Sequence, residues 1–279
     1  MFESIAVISD VHGNLEALTE VINDIQKRNI KTIICLGDIV AKGNSQKECL
    51  DIIREKCSIV LKGNCDEYFS SNIDLSNKSI EEKNRYNWNQ SKMTDTDRVY
   101  LKSLPYSYEL YISGKLVRFF HATPEKINGF VGNIDKLEKL YSQFLPSDNT
   151  ISNDKADVVV YGHIHISFMQ KLYNRILINA GSVGNAIDVF RNNLKDGNPK
   201  NTTVANYLII SGIINSTNIN DTISFEFVNV PYNIEKELER NKDNIDLDSY
   251  KEEMLNGNYR NLETIHKSFI DRGIDIDKI

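Results

Sequence analysis

The four cysteines form no C-x-x-C pair, no apolar stretch approaches the length of a membrane span, and no stripe of lysine and arginine runs through the chain. Each absence removes a class of function. Cys35, Cys49, Cys57 and Cys65 show no disulfide-like pattern. Buried thiols are expected instead, because Cys35 falls in an apolar strand and Cys49 and Cys57 fall in or beside a helical segment. The opening Met1-Phe2-Glu3-Ser4 has neither the basic region nor the long apolar region of a signal peptide. With no membrane span, the expected compartment is a reducing cytoplasm. A net charge of −6 without clustered positive residues gives little support to a nucleic-acid polymer or an anionic membrane as partner. Internal repeats and low-complexity tails are also missing. The 279 residues are within reach of one large α/β domain.

What is present is a pattern of strand ends. Ile5 to Ile8 runs into Asp10-Val11-His12-Gly13, and Ile33 to Leu36 runs into Gly37-Asp38. Ile59 to Leu61 leads to Gly63-Asn64-Cys65-Asp66, Val117 to Phe120 leads to His121, and Val158 to Tyr161 leads to Gly162-His163-Ile164-His165. Continuous apolar runs of this length read as buried strands. In open α/β sheets ligands bind beyond the carboxyl ends of strands. Five such ends are expected to gather Asp, His and Asn at one rim of one sheet, as a metal site.

Between these runs, Leu15, Leu18, Val21, Ile22 and Ile25 recur at helical spacing and predict a helix from about Asn14 to Arg28. A second helix, with Cys49, Leu50 and Ile53 inward, is expected before a strand at Ser58–Leu61. This β-α-β-α-β opening implies parallel strands with right-handed crossovers. Residues 68–104 are polar and predict a helical insertion, including a start at Thr94 and inward Val99, Leu101 and Leu104. Further strands are expected at 108–112, 116–120, 157–161, 175–180, 204–213 and 222–230, with a hairpin turn at Ser113-Gly114 and a helix over 133–144. Asn192–Thr203 reads as a surface loop, and residues 231–279 as a C-terminal helical extension of a single domain whose core is 1–230.

Taken singly, most of the strand-end groups suit ordinary turns. His163 and His165 say more, since imidazoles two apart can face one metal centre. Independent turns at all five ends would each need a separate explanation, so the conjunction favours chemistry.

Asp10-x-His12, Gly37-Asp38, Gly63-Asn64-x-Asp66, His121 and Gly162-His163-x-His165, in that order, resemble the calcineurin-like metallophosphoesterase superfamily. The glycine-rich Asn179-Ala180-Gly181-Ser182-Val183-Gly184, with Leu104-Pro105 and Val230-Pro231-Tyr232, is similar to its longer prokaryotic branch, which includes phosphodiesterases and diadenosine-tetraphosphatase-like proteins. The resemblance implies a four-layer αββα sandwich of two mixed β-sheets with helices outside. It implies two divalent ions per chain, one on Asp10, His12 and His165, the other on Asn64, His121 and His163, with Asp38 bridging. Mixed nitrogen and oxygen ligation suits Mn, Fe, Zn, Co or Ni better than Mg or Ca. The implied reaction is hydrolysis of a phosphodiester or phosphoanhydride, of a nucleotide or another small phosphate ester, by a metal-bridging hydroxide.

Two positions depart from the family pattern. Many relatives carry His at the place of Cys65, where a general acid is needed to protonate the leaving group. Cys65 is a different donor, which shifts the expectation towards substrates with good leaving groups, and Asp66 is a candidate for orienting Asn64 or a water. After Gly184 the chain reads Asn185-Ala186-Ile187-Asp188 in place of a Pro-Arg-Asp, leaving Arg191, Lys195 or Lys200 as alternative phosphate contacts. Tyr68, Phe69, Tyr86 and Trp88 either pack on the core or stack on a base. His266 reads as an exposed tail residue. A diadenosine-polyphosphate hydrolase and a protein or monoester phosphatase are alternative enzymes. A non-catalytic metal-binding scaffold, the role of the retromer subunit built on this fold, is the alternative of another class.

Overall fold

The computed structural model describes residues 2–186, 204–257, 267, 270 and 271. The chain order is β1 (Phe2–Ile8), α1 (Leu15–Lys27), β2 (Thr32–Cys35), α2 (Gln46–Lys56), β3 (Ile59–Val60), α3 (Asn64–Ser70), α4 (Ile80–Ser91), α5 (Asp95–Ser103), β4 (Ser107–Ile112) and β5 (Lys115–Phe120). It continues with α6 (Leu137–Ser142), β6 (Val158–Tyr161), β7 (Phe168–Leu172), β8 (Arg175–Asn179), β9 (Ala205–Ile213), β10 (Ser224–Val230), α7 (Ile234–Arg240) and α8 (Leu247–Asn256). Two mixed five-stranded sheets result, in the orders β10-β9-β1-β2-β3 and β4-β5-β6-β8-β7.

Alternation along the strands explains why their apolar runs are unbroken. Ile5 and Val7 of β1 join Val117, Phe119, Val158, Val160 and Ile178 in a core between the sheets. Ala6 and Ile8 point the other way, into a core with Leu18, Val21, Ile22 and Ile25 of α1 and Cys49, Leu50 and Ile53 of α2. On the far side of the second sheet, Phe120, Val159, Tyr161 and Leu177 pack with Leu140 of α6. Each central strand is thus covered on both faces. Fully burying a Leu, Ile or Val side chain contributes roughly 2 kcal/mol, so the face of α1 alone strongly favours docking. That helix begins where Asn14 accepts the Ala17 N–H at 3.0 Å.

The strand ends therefore do not share one sheet, as the sequence reading expected. β1, β2 and β3 belong to one sheet, β5 and β6 to the other. Apolar runs do not reveal which sheet a strand joins, because both sheets are buried on two sides. β1 pairs with β2 and β2 with β3 in parallel, as expected for this opening. Ser113 and Gly114 both take positive φ, 49° and 74°, in the β4–β5 hairpin, the turn chemistry that two-residue hairpins demand.

Other expectations shift. Strand β7 alternates in burial, with Met169 and Lys171 exposed on a sheet edge, but Phe168-Met169-Gln170-Lys171-Leu172 does not alternate in hydropathy, so it carries no strand signal. The helix expected over 133–144 is limited to α6, because Asp135 first closes a turn by accepting the Gly132 N–H at 2.9 Å. Val99 is 67% exposed, not inward, while Leu101 and Leu104 are buried. Residues 68–104 do form helices, α4 and α5 with the end of α3. Ile187, Asp188, Arg191, Lys195, Lys200, the 192–203 loop and His266 lie outside the described residues. Among those described, no helix is long and apolar enough to cross a membrane.

Candidate metal centre

Face-to-face packing of the sheets brings five loops together at one end. The loop after β1 runs beside the loop after β2: Asp10 N–H donates to Gly37 O, His12 N–H to Asp38 O and Gly13 N–H to Ile39 O, each at 3.0 Å. Within the second sheet, Gly162 N–H donates to His121 O at 2.9 Å, and across the sheets His163 N–H donates to Asp10 Oδ2 at 2.9 Å. Asp10, His12, Asp38, His163 and His165 all adopt left-handed backbone, with φ of 55°, 51°, 54°, 68° and 64°. Such backbone costs roughly 1–2 kcal/mol for a residue with a Cβ, and strain of this kind gathers at functional sites. Here the hydrogen-bonded loops hold it in place. Gly63 is needed for close approach, since a Cβ there would strike the backbone nitrogen and carboxylate of Asp38.

The side chains converge in two groups. Asp10, His12 and His165 offer ligand atoms within 4.8 Å of one another, and so do Asp38, His121 and His163. Nε2 of His165 lies 3.1 Å from Asp10 Oδ1 and 3.1 Å from Nε2 of His12. Asp38 Oδ2 stands between the groups, 3.7 Å from His12 Nε2 and 3.5 Å from His121 Nε2. Asn64 Oδ1 is 3.0 Å from His121 Nε2. All seven residues expected from the sequence are thus neighbours.

The groups behind them fix which atoms face inward. His12 Nδ1 meets Val40 O at 3.2 Å, His121 Nδ1 meets Leu36 O at 3.0 Å, and His165 Nδ1 meets Asn185 O at 2.7 Å. A carbonyl can only accept, so each Nδ1 carries hydrogen and each Nε2 is turned to the centre. Asp10 Oδ2 accepts from Ser9 Oγ at 2.6 Å and from His163 N–H at 2.9 Å, while buried Asp10 Oδ1 has no hydrogen-bond partner. With both imidazoles neutral, three acceptor atoms of Asp10, His12 and His165 therefore face one another without a proton between them. A cation satisfies that arrangement, and the donor set fits a divalent transition metal.

Charge reinforces the grouping. Burial works against ionised Asp10, yet His165 beside it holds its carboxyl down at about 2. Asp38 is likewise pulled well below the carboxylate range, because burial is outweighed by His121 and His12. Burial lowers the His12 imidazole to about 3 and that of His163 to about 4, so both are neutral near pH 7. His121 differs: burial lowers it, but Asp38 raises it to about 9.

Cys65 is half-buried, with Asn64 Nδ2 3.5 Å from its Sγ, and that sulfur lies within 4.8 Å of ligand atoms of His12 and Asp38. Burial and then Asp38 push its thiol well above the usual range. Among the described residues no hydrogen bond joins Asp66 to Asn64, and its carboxylate does more than close a turn. It accepts the N–H groups of Asp38 at 2.7 Å, Ile39 at 2.9 Å and Gly63 at 3.0 Å, holding the Asp38 loop. Phe69 and Tyr86 are core residues, with Tyr68 packed against them. Trp88 is half-buried under Lys92. Ser9 and Asn185 were not singled out from sequence as metal-site residues. Their only signals were adjacency to Asp10 and position after the glycine-rich turn.

The family model for the calcineurin-like phosphoesterase superfamily domain matches residues 4–194. An uncharacterized protein of Methanocaldococcus jannaschii is 34% identical over 184 residues, covering 64% of this chain and 69% of the relative. A metallophosphoesterase from Sphaerobacter thermophilus has a similar fold, with TM-score 0.65 and 21% identity over 92% of this chain and 99% of that one. A hypothetical protein from Pyrococcus horikoshii OT3 superposes with TM-score 0.71 and 15% identity, over the same 92% and 99%.

Proposed function

This chain belongs to the calcineurin-like phosphoesterase superfamily of metal-dependent phosphoric ester hydrolases, and from that premise we propose that it hydrolyses phosphodiester or phosphoanhydride bonds of small, nucleotidic substrates with two divalent ions. Asp10, His12 and His165 would hold one ion, Asn64, His121 and His163 the other, and Asp38 would reach both. The observation that carries this reading is the facing of Asp10 Oδ1, which has no hydrogen-bond partner, with two imidazole nitrogens. The second group repeats the chemistry with His121, His163 and Asp38.

Bound there, the ions would supply Lewis acidity towards the phosphoryl oxygens and an activated water. The chain's own contribution is orientation. Val40, Leu36 and Asn185 carbonyls fix the imidazoles of His12, His121 and His165. Asp66 fixes the Asp38 loop, and Ser9 fixes Asp10. Cys65 carries a transferable proton beside the centre, its sulfur within 4.8 Å of ligand atoms of His12 and Asp38, yet is not among the proposed ligands. Its thiol, pushed up by burial and by Asp38, is a weak acid, which favours substrates whose leaving groups need little protonation. That supports diesters and anhydrides over alkyl monoesters.

The test is a substrate panel with Mn²⁺-loaded protein: bis-p-nitrophenyl phosphate, p-nitrophenyl phosphate and diadenosine tetraphosphate. The diester or the anhydride is expected to turn over faster than the monoester. A clear monoester preference contradicts the substrate assignment, and no turnover of any ester favours a metal-binding scaffold.

A further inference from the structure

Helix α8 reaches the metal-site shell through one buried carboxylate. Glu253 is fully buried, and its Oε2 accepts from Asn185 Nδ2 at 2.9 Å and from Lys42 Nζ at 3.2 Å. Asn185 is buried too. Its Oδ1 accepts from Lys42 Nζ at 2.7 Å and lies 3.1 Å from His165 Nδ1. Its backbone carbonyl lies 2.7 Å from the same nitrogen.

The orientation of the Asn185 amide decides what His165 meets. With Nδ2 towards Glu253, the oxygen faces Nδ1 of His165. Nδ1 then keeps its hydrogen, and Nε2 presents a lone pair to Asp10 and His12. Were the amide reversed, an NH₂ group would face Nδ1, and another would face the Lys42 ammonium. The Asn185 backbone carbonyl, 2.7 Å from Nδ1, would then hold the Nδ1–H form alone against that NH₂ group, and the share of imidazole with its proton on Nε2, where it could not take an ion, would rise.

Helix α8 is well placed to hold that orientation. Tyr250 Oη donates to Glu237 Oε1 at 2.9 Å, and Met254 Sδ accepts from Tyr232 Oη at 3.2 Å. Asn14, the N-cap of α1, contacts Met254 Sδ at 3.6 Å and donates to Gly184 O at 2.9 Å. The helix therefore touches Asn14, at the end of the loop that carries Asp10 and His12, and Asn185, which in turn meets His165.

We infer that Glu253 is a positioning residue for His165, acting through the Asn185 amide, so that α8 sets the affinity of one ion of the pair. The inference rests on the reading of Asp10, His12 and His165 as that ion's ligands. It gives α8 a role in the metal site beyond packing.

The experiment compares wild type with Glu253→Ala, Glu253→Gln and Asn185→Ala in the full chain. The first readout is the His165 tautomer in metal-free protein, from imidazole ¹⁵N shifts. The second is Zn²⁺ titration resolving the two affinities. Wild type and Glu253→Gln, whose amide oxygen still accepts from Asn185, are expected to show the Nδ1–H form. Glu253→Ala is expected to populate Nε2–H and to weaken one ion about 10–100-fold, the usual scale for an outer partner of a ligand, while the other changes less than about twofold. Asn185→Ala keeps Glu253 beside Lys42, so α8 stays docked, and it is expected to weaken the same ion. An unchanged tautomer with both affinities intact, or equal loss of both ions, overturns the inference. A wild-type chain binding fewer than two ions would instead sink the metal assignment, and the tautomer comparison would still decide the role of Glu253.

Discussion

The Nε2 atoms of His12 and His165 lie 3.1 Å apart, although the residues come from loops of different sheets. Each ring gives its Nδ1 to a backbone carbonyl, Val40 for His12 and Asn185 for His165. Neither Nε2 therefore needs a hydrogen, and two lone pairs meet where a neutral hydrogen bond cannot form. A cation is the group that relieves this contact, and Asp10 Oδ1 supplies the negative charge beside it.

Asp38→Asn removes the one carboxylate whose oxygen faces both groups, at 3.7 Å from His12 and 3.5 Å from His121. Esterase kcat is expected to fall about a thousandfold, roughly 4 kcal/mol, with fewer than two ions retained after dialysis. Circular dichroism should remain that of the folded chain. Full activity with two retained ions would show that Asp38 does not bridge.

Cys65→His places a stronger acid beside the same centre. Monoesterase activity is expected to rise about tenfold relative to diesterase activity, within the range for an added general acid. Parallel rates on p-nitrophenyl phosphate and bis-p-nitrophenyl phosphate measure the ratio. An unchanged ratio counts against Cys65 lying beside the leaving group.

Metal binding by His121 should depend on pH. Asp38 raises this imidazole to about 9 against the effect of burial, so an ion must displace its proton. Affinity at this position is expected to fall about tenfold per pH unit below pH 9. Zn²⁺ titrations at several pH values between 6.5 and 8.5 test it. A flat profile for both ions would mean that His121 releases no proton on binding.

Glu237 provides a stability test away from the metal. It is fully buried, and burial raises its carboxyl to about 7 in spite of hydrogen bonds from Tyr250, Glu16 N–H and Asn241. A raised folded value means that its contribution is complete below the unfolded value of 4.5 and is lost as pH climbs through about 7. The loss is on the order of 3 kcal/mol. Glu237→Gln should remove this slope, so metal-free wild type and variant are expected to diverge in urea midpoint between pH 4.5 and 7.5. Parallel curves would show that Glu237 ionises without cost.

Much of the site was legible because its residues follow strands whose both faces are buried. Ile5 to Ile8 and Val158 to Tyr161 announce their ends by apolar runs, and the polar side chains just beyond had to be turn groups or ligands. The pairing of the sheets was not legible from those runs, since Val7 and Val160 share the core between the sheets in the same residue types that face helices. Only the family resemblance suggested two sheets. Strand β7 was hidden by edge exposure of Met169 and Lys171. The roles of Asp66 and Asn185 escaped because they act through backbone contacts with residues far away in sequence. Asp66 holds Asp38 and Ile39 by their N–H groups, and Asn185 meets His165 with its carbonyl. No local pattern encodes such partners.

Anomalous diffraction from crystals equilibrated with Mn²⁺ tests the two-ion site most directly. Two peaks are expected, one among Asp10, His12 and His165, the other among Asn64, His121 and His163, with Asp38 in reach of both. A single peak, or peaks away from these side chains, would contradict it.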